Sequence, residues 1–242
     1  MKKKLAIINL MARHSLPGVM MVLAALVIAD CVVFLTQLDP DYASLYRQFD
    51  QIPMYLVCAI GFVSMTLVLC FPMRDRGGRQ NYFLHRLNLQ PRSIYLSHAL
   101  YNTLCYILFY AVQALTLAGL CAVVQRMHPD RFTHQTIFIT TYQSGLIHSF
   151  LPLGDWLLSV SNLVMIAMLG ICTAALPTRN RSRKMSITTF VAAILALGVV
   201  YLQTIDAGAL DITTRIIALF CSVWCVLVSA AGVWDLGVDE NA

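Results

Sequence analysis

Long apolar stretches alternate with short polar connections along the whole sequence. Six of these stretches are almost free of charge, and each has the roughly 20 helical residues needed to cross a hydrocarbon core of about 30 Å. They cover residues 16–38, 52–73, 94–123, 156–176, 185–205 and 216–234. The pattern predicts an all-α membrane protein with six transmembrane helices, forming a single transmembrane domain over residues 1–242.

Three shorter segments predict helices that do not cross. Residues 2–14 place apolar side chains between basic ones, which is typical of a helix lying in the membrane interface. The loop 74–93 predicts a short cytoplasmic helix. Residues 132–152 predict an amphipathic or re-entrant helix on the outer side, because the segment is rich in threonine, glutamine and serine. Its apolar side chains recur at helical spacing: Phe138, Tyr142, Leu146, Phe150 and, just beyond, Leu153.

Composition agrees with a membrane protein. Hydrophobic residues make up 59% of the chain and charged residues 12%, about half the share of charged residues in an ordinary soluble domain. Mean hydropathy is +0.71. The longest segment outside the six stretches is 124–155, which leaves no room for a large soluble domain. The first apolar stretch shows no clear cleavage site and is expected to be retained as a helix.

The basic residues divide unequally between the two sets of connections. Thirteen lie on one side: Lys2, Lys3, Lys4, Arg13, Arg74, Arg76, Arg79, Arg86, Arg92, Arg179, Arg181, Arg183 and Lys184. Four lie on the other: Arg47, Arg126, Arg131 and Arg215. Because basic loops stay in the cytoplasm, we expect a multi-pass protein of the cell membrane with both termini cytoplasmic. The net charge of +5 then reflects topology and lipid headgroups, and nucleic acid is not an expected partner.

The eight cysteines all fall inside the apolar stretches, where cysteine behaves as a small buried hydrophobe. Cys221 and Cys225 lie four residues apart on one helix face, a spacing that could suggest a metal pair. No histidine or third cysteine lies on that stretch, so packing is the favoured interpretation. We expect neither a metal site nor a disulfide framework.

The loop between the second and third stretches carries the most informative motif. Gly77 and Gly78 end the preceding helix, and Phe83, Leu84 and Leu87 then share one face at three- and four-residue spacing. A short amphipathic helix of this kind either rests on lipid or docks against a partner protein.

This loop resembles the coupling loop of the membrane subunit of type-2 ABC transporters. The matching positions are Arg79, Leu84, Leu87, Leu89, Arg92, Ser93 and Ile94. The resemblance extends to the basic N-terminal helix, the six spans and the long third span. Two features depart from the family pattern: the turn has proline at Pro91, three positions later than usual, and the outer re-entrant element precedes the fourth span.

The resemblance implies a permease that binds a separate ATPase subunit and pairs with a second permease subunit, as a homodimer or heterodimer. The residues implied in ATPase coupling are Arg79, Phe83, Leu84, Arg86, Leu87, Leu89 and Arg92. The chain has no phosphate-binding loop of the GxxxxGK[ST] kind, so ATP and Mg would be bound by the partner. The chain itself is expected to be neither an enzyme nor a cofactor-binding protein.

A few polar residues lie inside the predicted spans. Asp30 is the only charged side chain well within one, which marks a point on a transport path, a hydrogen bond to a neighbouring helix, or a carboxyl that reaches the outer interface. Asn102, Gln113 and Asn162 are predicted to form interhelical hydrogen bonds. His98 is predicted to be a solvated residue near the end of the third span.

Two alternatives to a transporter remain. A non-transporting scaffold or immunity-type membrane protein would need no ATPase. A membrane-embedded enzyme would need a catalytic pair, and Ser144 with His148 is the one combination that resembles a serine protease. That pair lacks the usual Gly-x-Ser-Gly turn and lies on one segment, so the enzyme is the weaker alternative. Export is favoured over import, since no large outer domain is present to receive a binding protein.

Overall fold

The computed structural model describes residues 2–38, 45–70, 91–130 and 134–178, together with 220, 223, 224 and 227. Every regular element in these residues is a helix. The helices are α1 (Lys2–Gln37), α2 (Leu45–Gln51), α3 (Met54–Cys70), α4 (Pro91–Met127), α5 (His134–Gln143), α6 (Gly145–Phe150) and α7 (Trp156–Thr178). The predicted fifth span lies outside the described residues, and the sixth is represented only by 220, 223, 224 and 227, which are helical.

Two of these helices are long and apolar enough to cross a membrane, over Ala6–Gln37 of α1 and Ser93–Met127 of α4. Helices α2 and α3 together would make a third crossing, bent by 52° at the break between them. Helix α7 contributes a shorter apolar segment, Leu158–Ala174. The membrane character predicted from the sequence is therefore confirmed for the described part of the chain, with two or three candidate spans.

The surface has the polarity expected of a protein that faces lipid. Met21 on α1 is 73% exposed and Leu115 on α4 is 71% exposed, whereas Asp30 and Gln113 on the same two helices are fully buried. A soluble protein would place these residues the other way round, because it gains free energy by removing apolar surface from water. Lipid chains do not penalise an apolar outer face.

Neighbouring helices run in alternating directions. Gly18 and Leu26 of α1 lie against Val68 and Gly61 of α3, so these two helices are antiparallel. Helices α4 and α7 are also antiparallel, because Tyr95 is hydrogen-bonded to Ile171 and Tyr110 to Asn162.

As a consequence, α1 and α4 begin at the same end of the bundle, where α3 and α7 finish. We term this the N-terminal end. The basic runs 2–4, 74–92 and 179–184 all attach to helices at the N-terminal end. Helices α2, α5 and α6 contact one another at the opposite end.

The N-terminal helix differs from its prediction. Residues 2–14 are not separated from the first span, because α1 continues from Lys2 through Pro17 to Gln37. Ile7 and Met11 are buried, and the Ser15 hydroxyl is hydrogen-bonded to the Met11 carbonyl at 3.0 Å. The predicted interfacial helix forms the first turns of α1 and packs into the bundle.

The outer segment also differs in detail. The predicted helix over 132–152 is two helices, α5 and α6, interrupted at Ser144. At about 1.5 Å per residue, neither is long enough to cross a core of about 30 Å. The break divides the predicted apolar stripe, since Phe138 and Tyr142 on α5 are exposed while Leu146 and Phe150 on α6 are buried.

Helices α4 and α7 approach so closely that one residue between them must be glycine. A Cβ atom added to Gly170 would lie 2.7 Å from the backbone nitrogen of Thr103, a distance that real side chains do not reach. Small residues allow helix backbones to approach in this way within membranes. Gly170 therefore fixes the spacing of α4 and α7.

Candidate functional site

A line of buried polar residues follows one face of α4. All of its members except Tyr101 recur at intervals of three or four residues, so they lie above one another on the helix, and Tyr101 is adjacent to Asn102 in the sequence. We term this line the polar stripe: His98, Tyr101, Asn102, Tyr106, Tyr110 and Gln113, each at most 6% exposed apart from the half-buried Tyr110. Polar side chains inside a membrane bundle cost free energy and often mark functional sites. The polar stripe is therefore the candidate site.

The lower part of the polar stripe, towards the N-terminal end of the bundle, joins α4 to α1 and to α7. The hydroxyls of Tyr101 and Ser15 lie 2.7 Å apart and are hydrogen-bonded. The Asn102 amide donates to the Thr173 hydroxyl at 2.9 Å, which confirms the predicted interhelical role of Asn102.

The middle part of the polar stripe is hydrogen-bonded to residues of α3, α6 and α7. The Tyr106 hydroxyl donates to the hydroxyl of Thr66 at 3.0 Å. The Tyr110 hydroxyl donates to the Ser149 carbonyl at 2.8 Å. The Asn162 amide donates to that hydroxyl at 2.7 Å and to the same carbonyl at 2.8 Å. The interhelical hydrogen bonding predicted for Asn162 is confirmed.

His98 is not the solvated residue that the sequence predicts. Its side chain is 1% exposed. Helix α4 begins at Pro91, three residues earlier than the predicted start of the span, so His98 lies two turns inside the helix instead of one. The prediction was wrong because the apolar pattern placed the helix start too late.

The upper end of the polar stripe is different, because all of its polar side-chain atoms lack partners among the described residues, whereas below it only Asn102 Oδ1 does. Asp30 of α1 and Gln113 of α4 are both fully buried. Both carboxyl oxygens of Asp30 and both polar atoms of the Gln113 amide have no hydrogen-bond partner among the described residues. The Gln113 amide faces the Asp30 carboxyl without closing a hydrogen bond to it.

Cys58 of α3 is the third residue at this level. It is buried and close enough to Asp30 for the two groups to interact electrostatically. The Asp30 carboxyl therefore lies among α1, α3 and α4 and is removed from lipid. The sequence predicted an interior position for Asp30, and the structure adds its two neighbours.

A cavity of about 70 Å³ lies beside Cys58, between α3, α4 and α7. Its wall is almost wholly apolar, and five of the lining residues are aromatic: Phe62, Tyr106, Phe109, Tyr110 and Phe150. The polar groups in the wall are already hydrogen-bonded, Tyr110 to Asn162 and Tyr106 to Thr66. The cavity suits an apolar group and offers little hydrogen bonding.

Helix α6 is held in place by Asp50 of α2. The Ser144 hydroxyl donates to the Asp50 carboxylate at 2.9 Å, and the backbone N–H groups of Gly145 and Leu146 donate to the same carboxylate. Asp50 thereby caps the start of α6, where backbone N–H groups have no partner within the helix.

This arrangement does not pair Ser144 with His148. The Ser144 hydroxyl is occupied by Asp50 and accepts weakly from Ile147, while Nδ1 of His148 has no hydrogen-bond partner in the described part of the chain. A serine nucleophile needs a base within hydrogen-bond reach. The geometry gives Ser144 a structural role at the start of α6, while the His148 ring packs against that of Tyr142.

The predicted ATPase-coupling residues cannot be placed in the same way. Residues 71–90 lie outside the described residues, and with them Arg79, Phe83, Leu84, Arg86, Leu87 and Leu89. Of Arg92 only the backbone is described, in the first turn of α4.

Comparison of the chain with protein-family models, with curated proteins and with solved structures finds no match. The function therefore has to be inferred from the residues and from their arrangement.

Proposed function

We propose that this chain is the membrane-spanning permease subunit of an ATP-driven transporter of the type-2 ABC class, coupled to a separate ATPase subunit. The observation that carries the proposal is where the helices on either side of the segment 74–93 lie. Helix α3 ends at Cys70 and α4 begins at Pro91, both at the N-terminal end of the bundle, and the basic runs at 2–4 and 179–184 connect to helices at the same end.

The way this loop enters the bundle supports a mechanical role. Helix α4 begins at Pro91 and continues for 37 residues, and it packs against α1 and α7 along its length. A force applied to the loop would pass directly into the helix that carries the polar stripe. The loop is thus suited to transmit closure of an ATPase to the membrane helices.

The complete transporter would contain two permease subunits and two ATPase subunits in the cell membrane, with the N-terminal end of the bundle in the cytoplasm. We propose export as the direction. Asp30 is the residue of the described interior that we assign to the transport path, because it is a buried carboxyl among three helices.

The proposal is tested by the double substitution Leu84→Asp plus Leu87→Asp. The affinity-tagged chain, purified from membranes of its native cells, should bring down an ATPase whose hydrolysis can be measured in the eluate. Two aspartates on the predicted leucine face should abolish that co-purifying ATP hydrolysis, because a charged face cannot enter an apolar cleft.

The matched control is Asn81→Asp plus His85→Asp, which adds two aspartates to the same loop away from the predicted leucine face. It should retain the ATPase. If the wild-type chain brings down no ATP hydrolysis, or if the leucine substitutions leave it unchanged, the coupling role is refuted. If the chain instead accumulates normally in the membranes of cells that lack the ATPase, the scaffold alternative is supported.

A further inference from the structure

We propose that Asp30 and Gln113 form a proton-binding site in the interior of the bundle, in which the Asp30 carboxyl is held in its protonated form and shared with the Gln113 amide. The site joins α1 to α4, and its ligand is a single proton. It accounts for four polar atoms that otherwise have no partner among the described residues.

The first step of the inference is the cost of charge at this position. Asp30 is fully buried, and no basic side chain forms an ion pair with its carboxylate in the described helices. An ionised carboxylate without a partner in an apolar interior loses its hydration without compensation. Protonation removes the charge and converts one oxygen into a hydrogen-bond donor.

The second step is the identity of the acceptor. The Gln113 amide faces the Asp30 carboxyl from α4, and it offers one acceptor oxygen and one donor nitrogen. A protonated carboxyl has the complementary set, an O–H donor and a carbonyl acceptor. A small rotation of either side chain would close two hydrogen bonds and satisfy both groups, which neither group achieves with an ionised Asp30.

The third step concerns the other titratable groups around Asp30. Helix α3 contributes the Cys58 thiol, which interacts electrostatically with Asp30. On α4, the titratable residue nearest to Gln113 in the sequence is Tyr110, whose hydroxyl is already bonded to Ser149 and Asn162. Neither group carries a positive charge that could stabilise an ionised Asp30, so among the described residues nothing but a proton neutralises the carboxyl.

A metal cation is the competing ligand, and the surroundings favour it less. Hard cations such as Ca²⁺ take about six to eight oxygen ligands. Asp30 and Gln113 supply at most three oxygens, and the described residues contain no group of three histidine, cysteine, aspartate or glutamate side chains that could hold a metal ion. A proton needs only one carboxyl oxygen and one acceptor.

The test is infrared difference spectroscopy of the full chain, purified into lipid vesicles at neutral pH. A protonated carboxylic acid has a C=O stretching band separate from the bands of carboxylates, and this band shifts on transfer to D₂O. We expect the wild-type chain to show such a band and Asp30→Asn to lack it. The asparagine is neutral and similar in shape, so the variant should fold.

Three controls make the result specific. Asp130→Asn should leave the band unchanged, because Asp130 is an exposed carboxylate beyond the end of α4. Cys58→Ala should keep the band, which excludes titration of the thiol as its source. Replacing choline chloride with sodium chloride should not alter the band.

The outcomes are distinct. Absence of the band from the wild-type chain at neutral pH would overturn the proposal, and loss of the band on adding sodium would overturn it in favour of a cation site. A second measurement is thermal denaturation against pH. The wild-type chain should lose stability as the pH rises and Asp30 gives up its proton, and Asp30→Asn should not show this loss. Both measurements use the chain without an ATPase, so their results are independent of the proposed transport function.

Discussion

Two levels of helix α4 differ in how their buried polar side chains are satisfied. From Tyr101 to Tyr110, each side chain of the polar stripe is hydrogen-bonded to a hydroxyl, an amide or a carbonyl group on α1, α3, α6 or α7 at 2.7–3.0 Å, and only Asn102 Oδ1 is left without a partner among the described residues. One turn further on, Gln113 faces Asp30, and no polar atom of either side chain has a hydrogen-bond partner in the described part of the chain. We term these the paired level and the unpaired level.

Buried polar side chains can therefore have two different effects on a membrane bundle, depending on whether they are hydrogen-bonded. Interhelical hydrogen bonds contribute modestly to stability, on average about 0.6 kcal/mol in a membrane protein, and several in a row fix the register of α4 against its neighbours. Polar atoms without partners cost free energy instead. The paired level is thus explained by packing, and the unpaired level calls for a ligand.

The largest expected effect comes from breaking the helix contact that supports the paired level. Gly170→Val places a branched side chain where even a Cβ would meet the backbone of Thr103. The α4–α7 contact must open, and we expect a loss of about 3 kcal/mol in unfolding free energy, at the upper end for overpacked interiors. Denaturation of the purified chain by a graded detergent mixture measures this loss.

Gly119→Val is the matched control, since Gly119 is also within a helix but has nothing within 4 Å of an added Cβ. It should change the stability by less than about 1 kcal/mol, the range of helix propensities. Equal losses in the two variants would show that close approach of α4 and α7 does not determine the stability of the bundle.

A smaller effect is expected from removing one hydrogen-bonding group of the paired level. Asn162→Leu deletes the donor to Tyr110 and Ser149 but leaves those two residues bonded to each other. We expect a loss of about 1 kcal/mol in the same denaturation measurement. Leu163→Ala, at an exposed neighbouring position, should cost less, and a greater loss there would contradict the role assigned to Asn162.

The smallest effect is expected at the unpaired level. Replacing both members with leucine, Asp30→Leu plus Gln113→Leu, removes four polar atoms without hydrogen-bond partners, and such a change can be nearly neutral or stabilising. The stability should stay within about 1 kcal/mol of the wild type. Gln113→Leu alone should be more damaging, because it leaves Asp30 without an acceptor. A double variant that loses as much as the two single variants added together would show that the two side chains act independently.

The sequence predicted the helices of the described part well where the apolar run is long. The third span was predicted over 94–123 and the helix covers Pro91–Met127; the fourth was predicted over 156–176 and the helix covers Trp156–Thr178. Long apolar stretches have only one stable conformation in a membrane. Shorter features were less well determined, because the break at Ser144 depends on a carboxylate from a different helix, Asp50.

The candidate site was only partly accessible to sequence reasoning. Hydropathy alone singled out Asp30, as a charge within a span, and Asn102 and Asn162 as groups that would bond between helices. The pairing of Asp30 with Gln113 could not be predicted, since it depends on α1 and α4 running in parallel with a fixed offset. A helical-wheel projection of α4 would have shown that Tyr106 and Tyr110 share a face with Asn102 and Gln113, and these tyrosines were the signal that was missed.

Helix α4 has one further consequence. A helix of 37 residues measures about 55 Å, well beyond a hydrocarbon core of about 30 Å. It has no proline after its first residue, so it should move as a stiff rod. Each degree of tilt about one end then displaces the other end by about 1 Å. A tilt of a few degrees about the Pro91 end would therefore move the Met127 end by several ångströms, so this one helix can carry a movement from one side of the membrane to the other.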